Sequence, residues 1–148
     1  LMLKELYGKV DILDIDGLKA FSNHISDSIQ IGDVIALCGD LGVGKTTLSG
    51  LIINNMLSNQ QIVNSPTFNL VQTYETRDKK MIWHFDLYRL KSREEVYNLA
   101  IEDALSTGIS IIEWPEVIWD LLPSNTLIID MKFSDDLSKR IVTTARLS

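Results

Sequence analysis

The sequence predicts an α/β domain with a mixed, partly parallel sheet of about seven strands flanked by helices, and three observations carry that prediction. A short apolar run, DVIALC (Asp33 to Cys38), leads into the glycine-rich stretch GDLGVGKTT (Gly39 to Thr47) and then into apolar residues at helical spacing. Two pairs of strand-like segments flank short polar turns, as β-hairpins do. The 148 residues show no internal repeat, low-complexity tract or linker, so a single domain over residues 1–148 is expected.

Each element has its own signal. KVDILDI (Lys9 to Ile15) reads as a strand, and Asp16 reads as the cap of a helix with Leu18, Phe21, Ile25 and Ile29 on one face. Asp33 to Cys38 is continuously apolar, as in a strand covered on both faces. Leu48, Leu51, Ile52 and Met56 mark the next helix, closed by the polar Ser58 to Gln61. NLVQTYET (Asn69 to Thr76) and MIWHFDLY (Met81 to Tyr88) form a hairpin around RDKK. Ser92 with Glu95 is a capping box for a helix through about Leu105, ended by Thr107 and Gly108. Ile109 to Glu113 is another buried strand, and Pro115 starts a helix over EVIWDLL that Pro123 stops. Thr126 to Phe133 and Arg140 to Arg146, joined by SDDLSK, form a closing hairpin.

Composition narrows the function. An apolar fraction of 45% and a charged fraction of 23% match soluble globular domains and exclude disorder and fibres. Cys38 is the only cysteine and no Cys/His spacing fits zinc, which favours a reducing, cytoplasmic setting. No apolar run approaches the roughly 20 residues that cross a bilayer, so no membrane partner is expected. A net charge of −6 argues against gripping nucleic acid directly, since that binding draws on clustered Lys and Arg. Any RNA role would be indirect.

The residues Gly39 to Thr46 match G-x-x-x-x-G-K-[ST], with the required strand before and helix after. The glycines let successive backbone N–H groups converge on an anion, and the helix N-terminus adds its positive dipole end. Lys45 would reach the β- and γ-phosphates, and the Thr46 hydroxyl would ligate Mg²⁺. The domain is therefore expected to be of the P-loop NTPase type. Such a loop needs an acid at a neighbouring strand end, to hold the metal's water shell and orient a nucleophile. Asp86 and Glu113 both stop their apolar runs, whereas Asp130 sits in a strand whose alternation continues to Phe133 and reads as a solvated face. A salt-bridged or capping carboxylate is the alternative for either acid. SPTF (Ser65 to Phe68) lies where NTP switches carry a hydroxyl that senses the γ-phosphate, although Ser65 before Pro66 can equally be a rigid turn. His24, His84, Trp83 and Trp119 read as structural, Cys38 as core, and Trp114 as an aromatic beside a candidate acid.

Taken together, GDLGVGKTT, SPTF, HFDLYRL (His84 to Leu90) and EWP (Glu113 to Pro115) resemble the TsaE (YjeE) ATPases of bacterial tRNA threonylcarbamoyladenosine (t6A) biosynthesis, over nearly the whole chain. The resemblance implies a Mg²⁺-dependent ATPase in t6A modification of tRNA. It would act with the TsaB and TsaD proteins to reset the threonylcarbamoyl-transfer complex and would touch tRNA only through that complex. It places the ATP phosphates on Gly42, Val43, Gly44, Lys45, Thr46 and Thr47, and Mg²⁺ near Thr46 and Glu113. It also makes Asp86 a second polar group near the metal or attacking water, Thr67 the switch hydroxyl, Trp114 a neighbour of the nucleotide or partner surface, and Arg140 a nucleotide contact. Lys45, Asp86, Glu113 and Thr67 are thus the candidate catalytic set. The family's early-helix threonine is absent from DIDGLKAF (Asp14 to Phe21), and Val43 replaces the commoner alanine.

Two rival functions have weaker support. Small-molecule kinases close an Arg-rich lid over the phosphoryl group, and of the five arginines here only Arg89 and Arg93 lie close together, where they open a helix. GTPase-type switches carry N-K-x-D, which does not occur.

Overall fold

The computed structural model describes residues 9–147; residues 1–8 and Ser148, which the sequence reading counts in the same domain, lie outside the described residues. Seven strands form one sheet: β1 (Lys9–Leu13), β2 (Val34–Gly39), β3 (Val71–Glu75), β4 (Met81–Asp86), β5 (Ile109–Glu113), β6 (Leu127–Phe133) and β7 (Arg140–Arg146). Their spatial order is β1-β7-β6-β2-β5-β4-β3. β4, β5, β2 and β6 run parallel, and the two expected hairpins put β3 and β7 antiparallel on either side, with β1 closing the edge on β7.

The helices α1 (Ile15–Ser28) and α2 (Lys45–Asn54) cover one face of the sheet. There Leu18, Ile25, Leu48, Ile52 and Ile53 pack on Ile35, Leu37, Ile111 and Ile129. α3 (Ile101–Thr107) and two 3₁₀ segments, Arg93–Leu99 and Pro115–Leu121, cover the other face. There Val96, Ile101, Ala104 and Ile118 meet Val34, Ala36, Phe85 and Ile112. Because β2 alternates between two buried layers, every residue from Val34 to Leu37 is apolar and buried.

Two local expectations are corrected. The cap of α1 is Asp14, whose Oδ1 accepts from Gly17 N–H at 2.8 Å, and not Asp16, because β1 ends at Leu13. The helix expected from Ser92 to Leu105 is broken at Ala100, which adopts a left-handed φ of 57°, and Ser92 makes no side-chain cap. Val96 and Ile101 must both face the sheet, yet five residues turn a continuous helix by about 140° from alignment, so the break restores the burial of both. Thr107 and Gly108 end α3 as expected, with the Gly108 N–H bonded to the Ala104 carbonyl. The φ of Gly108 is an extended −129°, and what demands glycine is space: a Cβ there would lie 2.6 Å from Trp83 Cδ1 and 2.9 Å from the Met81 carbonyl oxygen.

The strand order reverses around β2, with β5 on one side and β6 on the other, and a crevice at the carboxyl ends of such strands is where open α/β sheets hold ligands. The glycine-rich loop leaves β2 at that crevice. Glu113 ends β5 in register with Leu37 on one side and with Asp86, the end of β4, on the other. Both predicted acids therefore stand at the edge the loop occupies.

Candidate functional site

Gly39 starts the loop with a φ of 143°, and a Cβ there would meet the Met131 carbonyl oxygen at 2.5 Å, so only glycine fits. Gly42 and Gly44 also have positive φ, 81° and 114°, and Gly44 turns the chain directly into α2. The first-turn N–H groups of α2, on Lys45, Thr46 and Thr47, have no acceptors within the helix and face the loop's concavity with the positive end of the dipole. Val43 is buried in the core beneath the loop, so its methyls lie away from the concave side. Arg140 braces the loop from outside: its Nε donates to the Val43 carbonyl at 2.6 Å while its guanidinium lies 4.4 Å from the Phe133 ring centroid.

A cavity of about 410 Å³ opens over the loop, walled by Gly42, Gly44, Lys45, Thr46 and Thr47 on one side and by Thr67, Asp86, Glu113 and Trp114 on the other. Every predicted site residue except Val43 and Arg140 is thus brought to one space. Arg140 lines an adjoining hollow of about 260 Å³ with Asp14, Ile15, Leu18 and Thr47. That hollow lies at the start of α1, where the family threonine is missing.

Glu113 is the best-anchored acid. It is only 2% exposed, and its Oε1 accepts from the Thr46 hydroxyl at 2.8 Å. Its Oε2 lies 2.6 Å from His84 Nε2 and 3.3 Å from the Ser49 hydroxyl. Asp86 accepts from the Ser65 hydroxyl through Oδ2 and from the Tyr88 backbone N–H through Oδ1 at 3.0 Å. The Thr67 hydroxyl donates towards Ser65 Oγ at 3.3 Å, so the SPTF segment is tied to the second acid. Asp130 is partly exposed and 3.9 Å from Lys132, a solvated position as expected.

The Lys45 ammonium is buried and donates to the carbonyls of Gly39 and Asp40. Burial pushes its pKa down, while the carboxylates of Glu113, Glu116, Asp86 and Asp40 push back. The Trp114 ring lies 3.9 Å from Nζ, and Tyr88 packs on Trp114 at 4.8 Å. Trp114 holds this place through a left-handed φ of 57°, a conformation that costs a non-glycine residue about 1–2 kcal/mol. Strain at that position turns the chain from β5 into the 3₁₀ segment and directs the indole over the lysine.

The site fits the groups that the sequence implies. A buried cation beside a helix N-terminus suits a polyphosphate. A hydroxyl and two carboxylates are hard oxygen donors of the kind Mg²⁺ takes.

The family model for "Threonylcarbamoyl adenosine biosynthesis protein TsaE" matches residues 13–142. This chain belongs to the TsaE family. The TsaE protein of Rickettsia bellii is 43% identical over 118 residues, covering 80% of this chain and 81% of that protein. The TsaE protein of Bacillus subtilis is 35% identical over 128 residues, covering 86% and 78%. The crystal structure of Bacillus subtilis YdiB superposes with a TM-score of 0.71 at 27% identity over 98% of this chain and 88% of that one, so the domain has the P-loop NTPase-type fold of a TsaE-family structure. All the predicted site residues fall inside the span that the TsaE model matches.

Sequence reasoning missed part of the site. His84 and Ser49 hold Glu113, and Arg89, read as one of a pair opening a helix, lies in the cavity wall while Arg93 pairs with Asp120. Spacing carried the signal for the first two. Ser49 follows Lys45 by four and Thr46 by three on one helix, and His84 precedes Asp86 by two on one strand, so each shares a face with a site residue.

Proposed function

We propose that this chain is a Mg²⁺-dependent ATPase that serves t6A formation in tRNA, working with the TsaB and TsaD proteins to reset the threonylcarbamoyl-transfer complex. The observation that carries the reading is the 2.8 Å contact between Thr46, at the start of the phosphate-loop helix, and Glu113, at the end of the neighbouring strand. It sets the predicted metal hydroxyl and the predicted acid on the same point of the cavity. Family membership supplies the pathway.

In this mechanism the loop N–H groups and Lys45 bind the phosphates, and Lys45 turns from the Gly39 and Asp40 carbonyls towards the β- and γ-oxygens. Mg²⁺, when bound, neutralises charge developing between the β- and γ-phosphates. Thr46 and Glu113 would hold it. Asp86 orients the attacking water and accepts its proton, with Ser65 and Tyr88 N–H keeping its carboxylate in place. Thr67, linked to Asp86 through Ser65, reports the phosphate state to the exposed Phe68 beside it. The hollow by Arg140 and the start of α1 takes the nucleoside. Positioning and charge neutralisation do most of the work, and turnover is slow until partners complete the open mouth.

The deciding experiment measures phosphate release and t6A formation with and without cognate TsaB and TsaD, for wild type and Lys45→Ala. Partner-stimulated hydrolysis and t6A formation that both vanish in Lys45→Ala support the proposal. Undiminished t6A formation by Lys45→Ala would overturn it.

A further inference from the structure

His84 makes a hydrogen bond that fold stability alone does not explain. Its ring is fully buried, in a strand position between Ile82 and the site acid Asp86. Nδ1 has no partner among the described residues, and the only polar contact of the ring is Nε2 to Glu113 Oε2 at 2.6 Å. A buried polar ring with one nitrogen unpaired is unfavourable compared with the apolar residues around it, so a constraint other than packing is needed.

The geometry of Glu113 supplies that constraint. A carboxylate only accepts, so Nε2 carries the hydrogen and donates. Ser49 is the other neighbour of Oε2, but its hydroxyl has one hydrogen and lies closer to the Lys45 carbonyl, 2.9 Å against 3.3 Å. His84 is therefore the committed donor on Oε2. With that oxygen tied to a rigid central strand, Oε1 is left pointing at Thr46, 2.8 Å away.

We infer that His84 is the positioning residue for Glu113: it clamps Oε2 so that Oε1 alone works on the metal and water, an inference that rests on the ATPase reading above. Partners that orient a metal-holding carboxylate commonly contribute about 10- to 100-fold to metal affinity or turnover.

Two amide variants separate the clamp from packing. The Gln amide of His84→Gln reaches the place of ring Nε2, whereas the Asn amide of His84→Asn reaches only that of Nδ1. In the partner-stimulated ATPase assay, His84→Asn is expected to lose about 10- to 100-fold in kcat with KM for ATP little changed, and His84→Gln to recover most of that loss. Equal kcat values for the two variants would overturn the clamp. A second reading needs neither nucleotide nor a variant. The chain has two histidines, and long-range ¹⁵N–¹H spectra of the full chain at neutral pH should show one ring with its hydrogen held on Nε2 and slow to exchange. A ring 84 without hydrogen on Nε2 would also overturn the clamp. If wild type shows no stimulated turnover, the ATPase proposal fails by itself, and the spectra still decide whether His84 holds Glu113.

Discussion

Replacing Glu113 with glutamine tests the chemistry while sparing the fold. The amide retains one acceptor oxygen. With that oxygen towards His84, the 2.6 Å bond persists, and the NH₂ group faces the Thr46 hydroxyl, which can turn to accept across 2.8 Å. Ser49 keeps its bond to the Lys45 carbonyl at 2.9 Å. No buried donor is orphaned, so the folding free energy should change by no more than about 1 kcal/mol. The negative charge is lost, and with it the pull on the metal and its water. Charge stabilisation by a well-held metal is worth several kcal/mol, so weakening its hold should cost about 10²- to 10⁴-fold, or about 3–5 kcal/mol of barrier. Urea unfolding, affinity for a non-hydrolysable ATP analogue and partner-stimulated phosphate release should together show a stable, nucleotide-binding protein with kcat lowered into that range. Full turnover by Glu113→Gln would refute the role given to the carboxylate. A fall in activity matched by loss of folded protein would refute the hydrogen-bond reasoning.

Three further outcomes follow from the same geometry. Gly39→Ala forces a Cβ against the Met131 carbonyl of the paired strand and a φ of 143° on alanine, so urea unfolding should show a loss of about 2–5 kcal/mol; a loss below about 1 kcal/mol would mean that the loop can relax. Burial lowers the pKa of Lys45 from 10.5, so just below that pH the unfolded chain retains a proton that the folded chain has released, and stability rises with pH there. The unfolding free energy of wild type relative to Lys45→Met should therefore climb as the pH is raised towards 10.5, and a flat or falling difference would contradict the burial effect. Burial, reinforced by the Glu116 and Asp130 carboxylates, pushes the Cys38 thiol from 9.0 up to about 12. Its thiolate population near pH 8 is then about a thousandfold lower than in the unfolded chain, and iodoacetamide labelling of native protein should be slower than in urea by a comparable factor.

Several features were legible in residue order because they are local. Apolar runs and polar turns marked the strands and both hairpins, and the spacing of glycines, Lys45 and Thr46 marked the phosphate loop. Asp86 and Glu113 were recognisable as acids that stop buried strands, and the structure puts them side by side in register. The split helix around Ala100 was not legible, because capping residues such as Ser92 promise a start but do not report that Val96 and Ile101 must both reach the sheet.

The sequence by itself determined that a strand, a phosphate-type loop and a helix follow one another, since backbone turns and helix starts depend on neighbours a few residues apart. Only the tertiary structure decided which acid meets Thr46. That choice depends on β5 lying beside β2 although β3 and β4 intervene in the chain, and sheet order is set by packing on two faces rather than by adjacency. The same non-local order brings His84 from β4 onto Glu113 and Arg140 from β7 onto Val43. One histidine read as structural thus became the clamp of a candidate catalytic acid, and one arginine assigned to the nucleotide became first a brace of the loop.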